Sequence, residues 1–85
     1  MPDTTPQKCW LTFKGDLQQQ PCLWRMSRAY PEVQFDIRQA AFQEGVGVMA
    51  ILLKGPADDV DAAIAHLQDQ GVQVDPVEGG SLVAG

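Results

Sequence analysis

Basic residues are few in this sequence, and they are dispersed. Lys8, Lys14, Arg25, Arg28, Arg38 and Lys54 stand against eleven aspartates and glutamates, leaving a net charge of −5. Such a chain offers no electrostatic footprint for phosphate backbones or anionic lipid heads, so no nucleic acid partner is expected. Cysteine is scarce too. Cys9 and Cys22 stand alone, in apolar settings and outside any CxxC spacing, where a secreted disulfide scaffold of this length would carry more. They read as reduced thiols acting as small hydrophobes. No apolar run approaches the roughly 20 residues that cross a bilayer. Residues Met1 to Lys8 are polar, with two prolines and no apolar signal-peptide region. The expectation is a cytoplasmic protein without membrane insertion.

The residue types that carry catalysis are equally thin. His66 is the single histidine, and it falls off the apolar stripe of its helix. A nucleophilic Cys9 or Cys22 would need a base and an orienting group nearby, and placement on buried faces makes both inert. Asp58, Asp59 and Asp61 lack the spaced oxygens and central glycine of a calcium loop. At a helix start, carboxylates serve to offset the dipole. Gly45-Val46-Gly47 belongs to a hairpin and not to a phosphate loop. No catalytic residue, metal or cofactor is expected, and the chain is not expected to be an enzyme.

What is present is a sequence with clear periodicities. Its 85 residues suit one domain, and folding at that length hides only roughly 60–65% of the surface of the unfolded chain. Residues 1–6 and 79–85 have the composition of frayed ends, leaving 7–78 as the domain. From Gln7 to Lys14 the chain alternates, with Cys9, Leu11 and Phe13 on one face and Lys8, Trp10, Thr12 and Lys14 on the other: a strand. Gly15-Asp16 ends it. Pro21 opens a helix whose apolar stripe is Cys22, Leu23, Met26 and Tyr30, and Pro31 stops it. Trp24 falls beside that stripe, either flanking the core edge or exposed. Val33, Phe35 and Ile37 alternate with Gln34, Asp36 and Arg38 in a second strand that continues towards Phe42. Glu44-Gly45 is a hairpin signal, and Val46–Lys54 is a third, strongly apolar strand. Gly55-Pro56 precedes a second helix lined by Val60, Ala63, Ile64 and Leu67, with Gly71 at its C-terminal end. Val72, Val74 and Val77 mark a last strand.

The order β-α-β-β-α-β predicts an α+β sandwich: a four-stranded antiparallel sheet with both helices on one face. Its first and third strands are then central. Lys54 should face solvent, so Val48, Ala50 and Leu52 share its face, while Met49, Ile51 and Leu53 face the helices. Trp10, Thr12, Val48, Ala50 and Leu52 therefore form an apolar patch on the uncovered face, where a half-solvated sheet normally reads polar. Such patches mark interfaces, and self-association into a homodimer is the simplest form. Asp36 and Arg38 point to the same open face from an edge strand.

Read together, several segments resemble the NIL domain, the small regulatory module at the C-terminus of the ATPase subunit of bacterial methionine ABC importers. They are Leu11-Thr12-Phe13 followed by Gly15, Pro21 with Met26-Ser27-Arg28, Asp36-Ile37, and Gly47 to Gly55 around the third strand. Ala62-Ala63-Ile64-Ala65 with Leu67, then Gly71-Val72-Gln73-Val74, completes the set. The resemblance implies a ferredoxin-like fold, a homodimer and the sensing of a small molecule, which in the importers is methionine held between paired domains. One position departs. The family has Asn-Ile where this chain has Asp36-Ile37, and an ionised carboxylate repels a ligand carboxylate that an amide could bind. The importers' ATPase is absent as well, so the expected form is a stand-alone domain with no transporter to inhibit in cis.

Two functions follow as expectations. The first is a dimeric regulatory domain that binds a small metabolite, such as an amino acid, with Asp36, Ile37 and Arg38 edging the site and Trp10, Thr12, Val48, Ala50 and Leu52 pairing two copies. The second is a protein-interaction module that docks a transport or redox component and has no ligand of its own.

Overall fold

A computed structural model describes residues 6–77. The expected frayed ends, 1–6 and 79–85, lie outside the described residues apart from Pro6. The elements run β1 (Gln7–Lys14), a 3-10 turn (Gly15–Gln19), α1 (Cys22–Ala29), β2 (Gln34–Gln43), β3 (Val46–Lys54), α2 (Ala57–Asp69) and β4 (Gln73–Val77). Among the described residues the strands form one sheet in the order β2-β3-β1-β4, with every neighbouring pair antiparallel. This is the α+β, ferredoxin-like βαββαβ arrangement, with β1 and β3 central as the alternation predicts.

The core lies between sheet and helices. Cys9, Leu11 and Phe13 from β1 and Met49, Ile51 and Leu53 from β3 are buried against Cys22 and Met26 of α1 and Val60, Ala63 and Leu67 of α2. These are the positions that period two in the strands and period 3.6 in the helices select. Among the described residues no polar or charged side chain is buried, so the interior is held by apolar packing alone. Helix α2 closes as its sequence suggests. Gly71 takes φ +100°, its N–H donates to the Gln68 carbonyl, and the Val72 N–H reaches back to Leu67. That is the Schellman arrangement, with Leu67 and Val72 supplying its apolar contact. Gln70 then ties the helices together: its Nε2 donates to the Cys22 carbonyl at 3.2 Å, and its Oε1 accepts from Arg25 at 3.3 Å.

Two features lie beyond the periodicities. The segment after Gly15 is a 3-10 turn whose Leu17 packs on the core, where the sequence suggested only a strand ending. Strand β2 also behaves unlike the others, because all ten of its residues are exposed. The reason is the length of the cover. Helix α1 has eight residues, about 12 Å at 1.5 Å per residue, while a ten-residue strand runs about 33 Å. Phe35 at 37%, Ile37 at 49% and Phe42 at 52% exposure are consequently left only partly covered.

Candidate functional site

The open face is an ordered grid, because directly paired residues of antiparallel strands share a face. One row runs Gln39–Ala50–Trp10–Asp75, flanked by Ala41–Val48–Thr12–Gln73 on one side and Asp36–Leu52–Lys8–Val77 on the other. All five residues expected in the apolar patch therefore stand in three consecutive rows. Trp10 is 36% exposed, and Thr12, Val48 and Leu52 are half-buried. Ala50 has no exposed surface although it lies outside the core cluster between sheet and helices. It sits between the side chains of its own row, so it supports that row from beneath and presents nothing to a partner.

Two hollows open on this face. One, of about 340 Å³, is lined by Trp10, Gln39, Ala40, Ala41 and Val48. The other, of about 330 Å³, is lined by Pro6, Gln34, Phe35, Asp36, Leu52 and Lys54. Asp36 thus edges a hollow with Lys54 across from it. Arg38 Nη1 donates to Asp36 Oδ2 at 2.9 Å, with both side chains more than half exposed. The two are brought together by a β-bulge. The register with β3 shifts between Ile37 and Gln39, leaving Arg38 as the extra residue, and a bulge re-aims a side chain in this way. Ile37 is separated from them. It pairs with Ile51, a core residue, so it points to the helix side.

The cysteines are thiols. Burial pushes the Cys9 thiol up to about 11. Burial also raises that of Cys22, against a smaller lowering by the Arg25 guanidinium. Such thiols carry little thiolate at neutral pH and are poor nucleophiles. His66 packs edge-on against Tyr30, with centroids 5.8 Å apart, and its Nδ1 lies 3.1 Å from Gln70 Nε2. Among the described residues no three His, Cys, Asp or Glu side chains converge as a metal set would. No described helix is long and apolar enough to cross a membrane.

A second apolar region was not anticipated from the sequence. On the helix side, Phe13, Leu17, Leu23, Trp24, Phe42 and Met49 contribute to the lining of a pocket of about 150 Å³. Trp24 is 59% exposed with the Arg28 guanidinium 5.4 Å from its ring, so of its two placements the exposed one holds. Phe42 lies across Gly47, where a Cβ would overlap the ring. The signal was available. Pro21 and Pro31 bracket α1 so closely that it cannot shield the length of β2.

Comparison with family models returns the NIL domain, matched over residues 9–76, from the middle of β1 to the end of β4. A search of curated proteins finds no match.

Proposed function

The chain belongs to the NIL domain family and is a small regulatory domain; from that premise we propose that it is a cytoplasmic homodimer that binds a small metabolite with amino-acid chemistry and catalyses no reaction. The observation that carries this reading is the Asp36–Arg38 pair beside a hollow on the open face. A free amino acid offers an ammonium and a carboxylate. Asp36 is an acceptor for the first, and Arg38 a bidentate donor for the second. The hollow of about 330 Å³ is at the lower end of the range for small-molecule sites. Trp10, Thr12, Val48 and Leu52 form the apolar ground beside it, available to a ligand side chain or a second copy.

A thermal-shift screen across the free amino acids tests the reading. A ligand that binds only the native state raises the melting temperature by mass action, so at least one member should do so. In the free protein Arg38 is occupied by Asp36. The change Asp36→Asn keeps an acceptor oxygen for the ligand ammonium, releases the guanidinium and adds an amide donor for the carboxylate. It should therefore tighten binding of the active amino acid, and unchanged or weaker binding counts against the strand-two site. A flat screen together with a defined partner in pull-down favours the other reading, a module docking a transport or redox protein. The exposed Trp24 and Phe42 are what that reading draws on.

A further inference from the structure

Helix α1 reverses the charge balance of the molecule. The protein carries −5, yet from Leu17 to Pro31 the chain holds Arg25 and Arg28 and no aspartate or glutamate. Both arginines are exposed. Arg25 donates to the amide oxygens of Gln20 at 2.8 Å and Gln70 at 3.3 Å, while Arg28 lies over the Trp24 ring. Among the described residues neither guanidinium meets a carboxylate; the ion pair there is Arg38–Asp36. A guanidinium presents five N–H donors in a fork that fits a carboxylate, and neither fork is filled in that way.

Beside these arginines lies the apolar pocket framed by Leu17, Leu23, Trp24, Phe42 and Met49, and no charged side chain contributes to its lining. At about 150 Å³ it has room for one benzene-sized group. That is about half of what the smallest small-molecule sites offer, so the pocket suits a single anchoring side chain. Trp24 and Phe42 at its rim are more than half exposed. Tryptophan and arginine around an apolar socket are the residues on which binding energy concentrates at protein interfaces. We infer that this face of α1 docks a short acidic segment of another protein. One aromatic or large aliphatic side chain of the segment seats in the pocket, and carboxylates flanking it pair with Arg28 and Arg25. The net charge of −5 opposes an acidic partner at a distance, but exposed charges more than about 8 Å apart are largely screened at physiological ionic strength. The two arginines therefore set the contact, and a basic segment would meet them with repulsion. The surface lies on the helix side, across the sheet from the hollow beside Asp36, so the inference goes beyond the amino-acid reading and does not depend on it.

Selection of peptides from a random displayed library on the wild-type protein tests this surface. The enriched sequences should combine aspartates or glutamates with one aromatic or large aliphatic anchor. A dye-labelled synthetic peptide of that consensus should bind Arg28→Glu and Trp24→Ser about tenfold or more weakly than wild type. Lys8→Glu, an equal charge reversal on the open face, should bind the peptide as wild type does. Circular dichroism should match wild type for all three variants. A library that enriches nothing, a consensus without acidic bias, or a consensus peptide that binds the two α1 variants as it binds wild type overturns the inference. Sedimentation reads the remaining occupant, a second copy placing its Asp58, Asp59 and Asp61 on the arginines. Self-association that Arg28→Glu abolishes assigns the face to that copy and overturns the peptide site. The amino-acid screen should give the same result on Arg28→Glu as on wild type, so a flat screen counts against the metabolite reading and leaves this surface standing.

Discussion

Strands β1 and β2 carry the same alternation and meet opposite fates. In β1 the residues Cys9, Leu11 and Phe13 vanish into the core, while in β2 the equivalent side leaves Phe35, Ile37 and Phe42 substantially exposed. The difference lies above the sheet and not within it. β1 is central and lies under both helices; β2 is an edge whose helix cover is one short element. Apolar alternation therefore records that a face is to be covered, and leaves open whether the cover comes from the same chain. In β1 it does. In β2 the surface stays exposed along the whole strand.

The largest effect should fall on the covered strand. Leu11→Ala removes a side chain with no exposed surface and should cost about 2–5 kcal/mol in urea unfolding. Ile37→Ala, the matched deletion on β2, should cost less than about 1 kcal/mol in dilute monomer, since half-exposed positions forfeit little transfer energy. Equal losses at the two sites would erase the contrast.

Next in size is a pH effect, again confined to the covered strand. The folded Cys9 thiol titrates near 11 against 9.0 for an unburied one. Between these values the unfolded chain gives up its proton while the folded one keeps it, so stability is intact below pH 9 and falls as pH rises towards 11. The loss is on the order of 2 kcal/mol. Cys22 is raised as well and adds a slope of the same sign. Unfolding measured at several alkaline pH values should show a shallower decline for Cys9→Ala than for wild type. Parallel declines would mean that the Cys9 thiol is not kept from water.

Gly47 and Phe42 sharpen the contrast where the two strands meet. A Cβ at Gly47 would overlap the Phe42 ring, but the ring is half in solvent and can swing aside. Gly47→Ala should therefore cost about 1 kcal/mol, the low end for overpacking. Combined with Phe42→Ala, the two changes should cost less than the sum of their separate effects, a coupling that a double-mutant cycle measures. Additive losses would show that the ring does not rest on Gly47.

Much of this was legible in the residues. The element order, the central strands and the split of β3 into Met49, Ile51 and Leu53 against Val48, Ala50 and Leu52 follow from periodicity and turn residues, and the resemblance to the NIL domain rests on the segments matched between Leu11 and Val74. Those signals are local, and the fold obeys them. The features not read are the ones set by distance between elements. The 3-10 turn after Gly15 has no periodicity of its own. The bulge at Arg38 brings its side chain to Asp36, and Ile37, counted with them in sequence, faces the other way because one residue of a strand reverses the side. Exposure of Phe35, Ile37 and Phe42 depends on how far α1 reaches, which alternation within β2 does not encode.

The smallest effect belongs to Trp24, and it separates the two tryptophans. Trp10 and Trp24 are the two indoles of the chain, so their fluorescence can be assigned by removing either. Trp10 stands over the middle row of the sheet beside the fully covered Ala50, and Trp10→Ser uncovers that row, costing about 1–2 kcal/mol. Trp24 lies on the outer side of α1, more exposed, with Arg28 over its ring. An exposed cation–π contact is worth about 0.5–1 kcal/mol, so Trp24→Ser should destabilise the monomer by less than about 1 kcal/mol. Acrylamide should quench Trp24 more readily than Trp10 in dilute protein. Equal quenching of the two indoles would remove the distinction between the half-covered row of the sheet and the outer side of α1.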